Sequence, residues 1–289
     1  MEFSLNAEYL KRTRDPRVRR TPSECLQICH AAGFRTVSYF PDFASDAWEE
    51  EVNAVVQASD VWGMSLDQVH APYNFYAHQP LAVFHERLRR SIVAAKRMNA
   101  SYLVFHADEY HPLPGEAYDA EIALRTVYEI FAPHIENALR MGVTPVFENT
   151  FEDHHRVSVR ERSHFCAELS ELIAVMDRFA DPRIGCCWDF GHGKLAMETD
   201  ERHADAIRTM GKRIVCTHIH DNYYKKDLHL PPFMGEANWE LLMKAVKEIG
   251  YGGNLTFELG YSTMEESLVA DFMKNLYRTA GILKEMMDG

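Results

Sequence analysis

The sequence predicts an α/β chain folded as a closed (β/α)8 barrel, a single domain covering residues 1–289. Three observations predict it. Short apolar or β-branched runs alternate with longer amphipathic ones, which implies a parallel sheet with right-handed crossovers. Eight such units fit into 289 residues with no long linker and no low-complexity tract, which suits one barrel of about 250 residues better than two domains of about 150. The first candidate strand is followed by "NAEYLKRTRDPRVRR", where an open doubly wound sheet commonly carries a Gly-rich phosphate loop.

The candidate strands are "FSLNA" (3–7), "TVSYF" (36–40), "MSLDQVHAP" (64–72), "YLVFHA" (102–107), "VTPVFENT" (143–150), "IGCCWDF" (184–190), "IVCTHIH" (214–220) and "NLTFELG" (254–260). Five stretches between them read as helices. "PSECLQICHAAG" follows Thr21, a good N-cap, and stops at Gly33. Residues 81–98 and 123–142 carry apolar side chains at helical spacing. Residues 238–253 open on Asn238 and close on glycine, and residues 264–287 form the last helix. Trp188 alternates with Asp189 and is expected to point away from the barrel axis. Cys187 and Cys216 read as small buried strand residues, and Met64, Met98 and Met141 as core filler.

Composition narrows the function. Hydrophobic residues make up 46%, enough for a large core. A net charge of −12 disfavours a nonspecific grip on nucleic acid. No run approaches the roughly 18 apolar residues of a membrane span, and "MEFSLNAEYLKRTR" lacks the character of a signal peptide. Six scattered cysteines without a CxxC pair point to a reducing compartment. The expectation is a cytoplasmic protein without membrane or nucleic-acid partners. Helix faces outside such barrels often dimerise, so a homo-oligomer stays open.

Barrels of this kind carry their chemistry at the C-terminal ends of the strands. The third to eighth candidate strands end in His70, His106, Glu148, Asp189, His218 and Glu258. One such residue alone is an ordinary cap or satisfied polar group. Six in one register converge in a small space, where three carboxylates without a cation would repel and take up protons. Glu148, Asp189, His218 and Glu258 would give one ion three oxygens and one nitrogen, a mix that suits Mn2+, Mg2+, Co2+ or Zn2+. Asp227 and His229, in the loop after the seventh strand, and His192 could reach a second cation.

These residues lie in motifs that resemble the xylose-isomerase-like TIM barrels, a superfamily of sugar isomerases and epimerases that also includes endonuclease IV. The resemblance rests on "VHAPY" (69–73), "FHA" (105–107), "FEN" (147–149), "DFGH" (189–192), "HIHDN" (218–222), "DLHLPPFMGEANW" (227–239) and "TFELGY" (256–261). It implies that Glu148, Asp189, His218 and Glu258 bind the central metal. By likeness to endonuclease IV, it implies that His70 and His106 share a second ion with Glu148, and that His192, Asp227 and His229 hold a third. Two departures stand out. Endonuclease IV typically reads His-Pro-Gly after the fourth strand, whereas this chain reads "HADEYHPLPG". Ketose epimerases place an Arg about six residues past the seventh-strand histidine, whereas this chain has Tyr224, then Lys225 and Lys226.

The function this implies is a divalent-metal-dependent sugar or sugar-phosphate isomerase or epimerase that moves a proton next to a carbonyl through a metal-stabilised enediolate. Glu148 and Glu258 would act as the two bases, with His192 orienting a substrate hydroxyl. Tyr73, Phe75, Tyr76, Lys225 and Arg156 are candidate substrate contacts. One alternative is an endonuclease IV-like multi-zinc phosphoester hydrolase. Another is a metal-binding sugar-recognition subunit that needs a partner chain. The basic cluster "KRTRDPRVRR" (11–20) reads either as a solvated loop or as a phosphate clamp over the barrel mouth.

Overall fold

The computed structural model describes residues 1–73, 80–108, 110, 117–152, 164–260 and 264–289. Expectations for Phe75, Tyr76 and Arg156 fall outside the described residues. The elements run β1 (Phe3–Leu5), α1 (Pro22–Ala32), β2 (Thr36–Val37), α2 (Trp48–Trp62), β3 (Ser65–Leu66), β4 (Gln68–His70), α3 (Leu81–Arg97), β5 (Tyr102–His106), α4 (Ala120–Met141), β6 (Thr144–Glu148), α5 (Leu169–Phe179), β7 (Gly185–Asp189), α6 (Phe190–Ala196), α7 (Asp200–Met210), β8 (Ile214–His218), β9 (Asp221–Tyr223), β10 (Lys226–Leu230), α8 (Trp239–Glu248), β11 (Leu255–Phe257) and α9 (Glu266–Asp288). None of the described helices is long and apolar enough to cross a membrane.

The strands close into a ring. β4, β5, β6, β7 and β8 form one parallel sheet, β2 pairs with β3, and β1 pairs with β11. Hydrogen bonds join these pieces. The Ser38 N–H donates to Leu5 O at 2.8 Å, and the Ala7 N–H to Ser38 O at 3.0 Å, linking β1 to β2. The Tyr39 N–H donates to Gln68 O at 3.0 Å, carrying β2 past the break at Asp67 onto β4. The Ile219 N–H donates to Thr256 O at 2.8 Å and the Glu258 N–H to Ile219 O at 3.2 Å, linking β8 to β11. Counting β3 and β4 as one interrupted strand, this is the (β/α)8 barrel.

Alternation divides the strand side chains between two apolar layers. Phe105, Phe147 and Trp188 join the large core under the helices. Val104, Val146, Cys187 and Cys216 form a separate cluster facing the barrel axis. The Trp188 indole donates outward to His203 Nε2 on α7 at 3.2 Å. All six cysteines are free and buried.

Local chemistry accounts for the helix ends. Thr21 and Glu24 form a reciprocal capping box on α1, and Gly33 ends it at φ 117, a backbone angle that glycine tolerates. The Asn238 side chain accepts the Leu241 N–H at 3.2 Å to start α8. Helices α2, α5, α6 and α7 lie where the sequence pattern identified none. The loop expected after β8 is instead an antiparallel hairpin of β9 and β10. Its two-residue turn holds Tyr224 and Lys225, both at φ 55. Two positive φ angles give the twist that such turns favour, at some cost for residues with a Cβ.

Candidate active site

Strand register brings the strand-end residues to one level. His106 pairs with Glu148 across β5 and β6, and Asp189 with His218 across β7 and β8. Leaving aside the one group that includes a cysteine, the result is three adjoining groups, each with its potential ligand atoms within 4.8 Å of one another: Glu148, Asp189, His218 and Glu258; His70, His106 and Glu148; and His192, His220, Asp227 and His229. Glu148 belongs to two of them. It is fully buried, as is Asp189.

His218 Nδ1 lies between two carboxylates, 3.1 Å from Glu148 Oε2 and 3.3 Å from Glu258 Oε2. Its other nitrogen is committed: Nε2–H donates to Gln68 Oε1 at 2.9 Å. Gln68 cannot turn its amide round, because its NH2 group donates to Thr256 Oγ1 at 3.0 Å, and the Thr256 hydroxyl donates on to Asp67 at 3.0 Å. This chain of bonds turns His218 Nδ1 toward two carboxylates.

Four other histidines follow the same rule. His70 donates Nδ1–H to Ala71 O at 2.6 Å and turns Nε2 toward Glu148, 3.5 Å away. His192 donates Nδ1–H to Asn149 O at 3.0 Å and faces Asp227 with Nε2 at 4.0 Å. His220 donates Nε2–H to Asp189 at 3.1 Å and leaves Nδ1 4.0 Å from Asp227. His229 donates Nδ1–H to Glu258 O at 3.1 Å and sets Nε2 3.2 Å from Asp227. A ligating histidine is held in this way, with one ring N–H on a fixed acceptor; here the second nitrogens face carboxylates, and that of His70 also lies 3.2 Å from His106 Nε2. Both Glu148 oxygens, His218 Nδ1 and His220 Nδ1 are buried without a hydrogen bond among the described residues. Buried polar atoms without partners are costly, and a cation satisfies them together.

Electrostatics agree. Burial works to raise the Glu148 carboxyl, but His218, His106 and His192 hold it well below the usual carboxylate range. Glu258 is likewise lowered against its burial, by His218 and His229. Burial would depress His192, yet Asp189, Glu148 and Asp227 raise it well above its ordinary value. His229 is raised to about 9, its burial outweighed by Asp227. The cluster therefore needs positive charge among its carboxylates, from protons or from a bound ion. The oxygen and imidazole donors suit a hard or borderline divalent cation. Cys187 lies close to Glu148 and His218, but burial keeps its thiol well above the ordinary range, and it stays protonated.

A cavity of about 130 Å³ opens on this cluster, with Tyr9, Phe40, Tyr73 and Phe151 along its wall. The Tyr73 ring stacks on His106 at 5.3 Å. Lys225 sits at the exposed tip of the β9–β10 hairpin and does not line this cavity. Sequence reasoning singled out neither Gln68 nor His220 for a role. The alternation that selects His70 and His218 also puts Gln68 and His220 on the same faces, two residues away. It also passed over Glu8, near the end of the first strand, whose carboxyl is pushed up to about 8 by burial, with Glu258 adding to the effect.

Comparison with known proteins places the fold in a family. The chain is 24% identical over 270 residues to the uncharacterized protein y4fM of Sinorhizobium fredii, covering 81% of this chain and 79% of that one. A D-tagatose 3-epimerase-like protein superposes with a TM-score of 0.74 at 20% identity, over 99% of both chains. A D-psicose 3-epimerase solved in the presence of D-fructose gives 0.73 at 12% identity, over 100% of both. The model of one protein family, described as xylose isomerase-like TIM barrel, matches residues 26–279. The chain belongs to the xylose isomerase-like TIM barrel family.

Proposed function

We propose that the protein is a divalent-metal-dependent sugar isomerase or epimerase. The observation that carries this reading is the convergence of Glu148 and Glu258 on His218, their oxygens 3.1 and 3.3 Å from the same ring nitrogen. Two carboxylates around one donor cluster suit a reaction in which one base takes a proton from carbon and a second returns it. Solved epimerases of the same fold, including a D-psicose 3-epimerase, lend support.

Glu148, Asp189, His218 and Glu258 would hold the ion. Bound there, a divalent cation supplies positive charge beside the oxygens of a carbonyl sugar. Glu148 and Glu258 are kept ionised and so able to accept a proton. Delivery to the opposite face of the same carbon gives epimerisation, and delivery to the neighbouring carbon gives isomerisation. His192, on the wall of the cavity, orients a substrate hydroxyl. The 130 Å³ cavity limits the water that can reach the carbanionic carbon.

The test is exchange of carbon-bound substrate hydrogen in D2O. Glu148→Gln and Glu258→Gln are each expected to lower turnover by roughly 10² to 10⁴. Full exchange in both variants refutes the two-base assignment.

The sharing of Glu148 between two donor groups, with a third group beside them, favours a second reading: phosphoester hydrolysis at a multi-metal centre. Nicking of abasic DNA, with two or three tightly held ions per chain, would select it. One held ion and no nicking would select the isomerase class.

A further inference from the structure

The loop that follows β1 carries six basic residues between Lys11 and Arg20. Four have acidic partners: Lys11 pairs with Glu51, Arg14 with Glu265 at 2.9 Å, Arg17 with Asp15 at 2.6 Å, and Arg20 with Glu266. Arg12 and Arg19 have none among the described residues. Yet the fold sets them against each other, in an antiparallel bridge of Arg12 with Arg19. The Arg20 N–H donates to Lys11 O at 3.0 Å, and the Thr13 hydroxyl to Asp15 O at 2.8 Å, so the loop is a closed turn, although most of its side chains stay exposed. Like charges directly opposite in such a pairing are destabilising.

Both arginines line a cavity of about 470 Å³, and Arg87 of α3, also without an acidic partner among the described residues, lines it too. The acids on that wall are turned to backbone donors: Glu8 accepts the Phe40 N–H at 3.3 Å and Asp42 the Ala44 N–H at 3.1 Å. In a chain of net charge −12 this is a local reversal of sign. The cavity adjoins the one at the strand ends, since Tyr9, Phe40 and Tyr73 line both. The inner cavity, at about 130 Å³, falls short of the roughly 300–1,000 Å³ of a small-molecule site. It takes the reacting end of a substrate, and the outer cavity has room for the rest.

We propose that the substrate carries an anionic group, a phosphate ester or a carboxylate, which Arg12, Arg19 and Arg87 hold in the outer cavity while the carbonyl end lies between Glu148 and Glu258. The chemistry at the carbonyl end rests on the isomerase reading, whereas the anion site does not. Three guanidinium groups give the planar, bidentate donors that phosphate and carboxylate share.

The test compares a free ketohexose, its terminal phosphate ester and the matching keto-uronate, by hydrogen exchange in D2O with the metal-loaded enzyme. The wild type is expected to prefer one of the two anionic sugars in kcat/KM, and which one identifies the group. In Arg12→Gln/Arg87→Gln that preference is expected to fall roughly 10- to 100-fold. Arg14→Gln, a charge removed from the same loop outside the cavity, is expected to leave it intact. Equal use of neutral and anionic sugars overturns the anion site while the isomerase reading stands. If no sugar exchanges in the wild type, the isomerase reading fails and calorimetry with inorganic phosphate decides the anion site. Phosphate binding lost in the double variant supports it, and binding absent from the wild type or unchanged in the variant overturns it.

Discussion

The Gln68 side chain decides which nitrogen His218 offers to the carboxylates. It holds Nε2–H at 2.9 Å and is itself held by Thr256. Gln68→Met keeps the bulk and removes the acceptor, so His218 is free to change tautomer. Affinity for Mn2+ or Zn2+ is expected to fall about 10- to 100-fold, read by metal titration of the folded variant; unchanged affinity would show that the amide does not govern the ring. At this scale the sequence told much about the ligands and little about their supports. The strand-end histidines and acids are conspicuous by chemistry. Gln68 is an ordinary amide until Thr256, far away in the chain and itself bonded to Asp67, is seen to pin it. His220 was hidden differently, since a histidine on the right face of a strand gives no sign of whether a neighbouring backbone leaves room for its ring. Here Gly191 does: a Cβ there would sit 1.8 Å from the imidazole.

The hairpin of β9 and β10 is tied to α8 by one buried carboxylate. Asp221 accepts the backbone N–H of Asn222 at 2.9 Å, of Phe233 at 3.2 Å and of Ala237 at 3.1 Å, and the Trp239 indole N–H at 2.9 Å. Asp221→Ala strands these donors and is expected to cost about 3 kcal/mol or more, measured by urea unfolding. It should also weaken the group that draws Asp227 and His229 from this hairpin. The hairpin was not legible as an element, because its alternation is broken by a turn of two positive-φ residues that are neither glycine nor asparagine. Helix α1 was legible to the residue, because a capping box and a terminal glycine mark both ends. Helix α7, "DERHADAIRTM", escaped notice because its buried face is made of His203, small alanines, Ile207 and Met210 rather than a stripe of large apolar residues.

For the whole molecule, His203 links stability to acidity. It is fully buried on α7, where it accepts the Trp188 indole N–H, and burial pushes its imidazole down to about 3. Unfolded, the same ring takes up a proton near its ordinary value of about 6.5. Between these values the unfolded chain binds the extra proton, so stability is full above the upper one and falls as the pH drops below it. From about pH 6.5 to about pH 5, the wild type is expected to lose about 1.6 kcal/mol more than His203→Gln, with the slope steepening toward about 1.4 kcal/mol per pH unit at the acid end. Urea midpoints across that window check it, and parallel slopes would count against the assignment. The barrel itself was readable from eight alternating segments, because patterning fixes fold class; its seams were not, since they depend on pairings between the two ends of the chain.

One such seam has a consequence for biosynthesis. β1 closes against β11, and β11 leads directly into Glu258. A nascent polypeptide that stops short of β11 already holds His70, His106, Glu148, Asp189 and His218, but has neither the strand that seals the cylinder nor Glu258, the fourth member of the central group. Closure of the cylinder and completion of that group therefore fall together, whatever the order in which the other strands assemble.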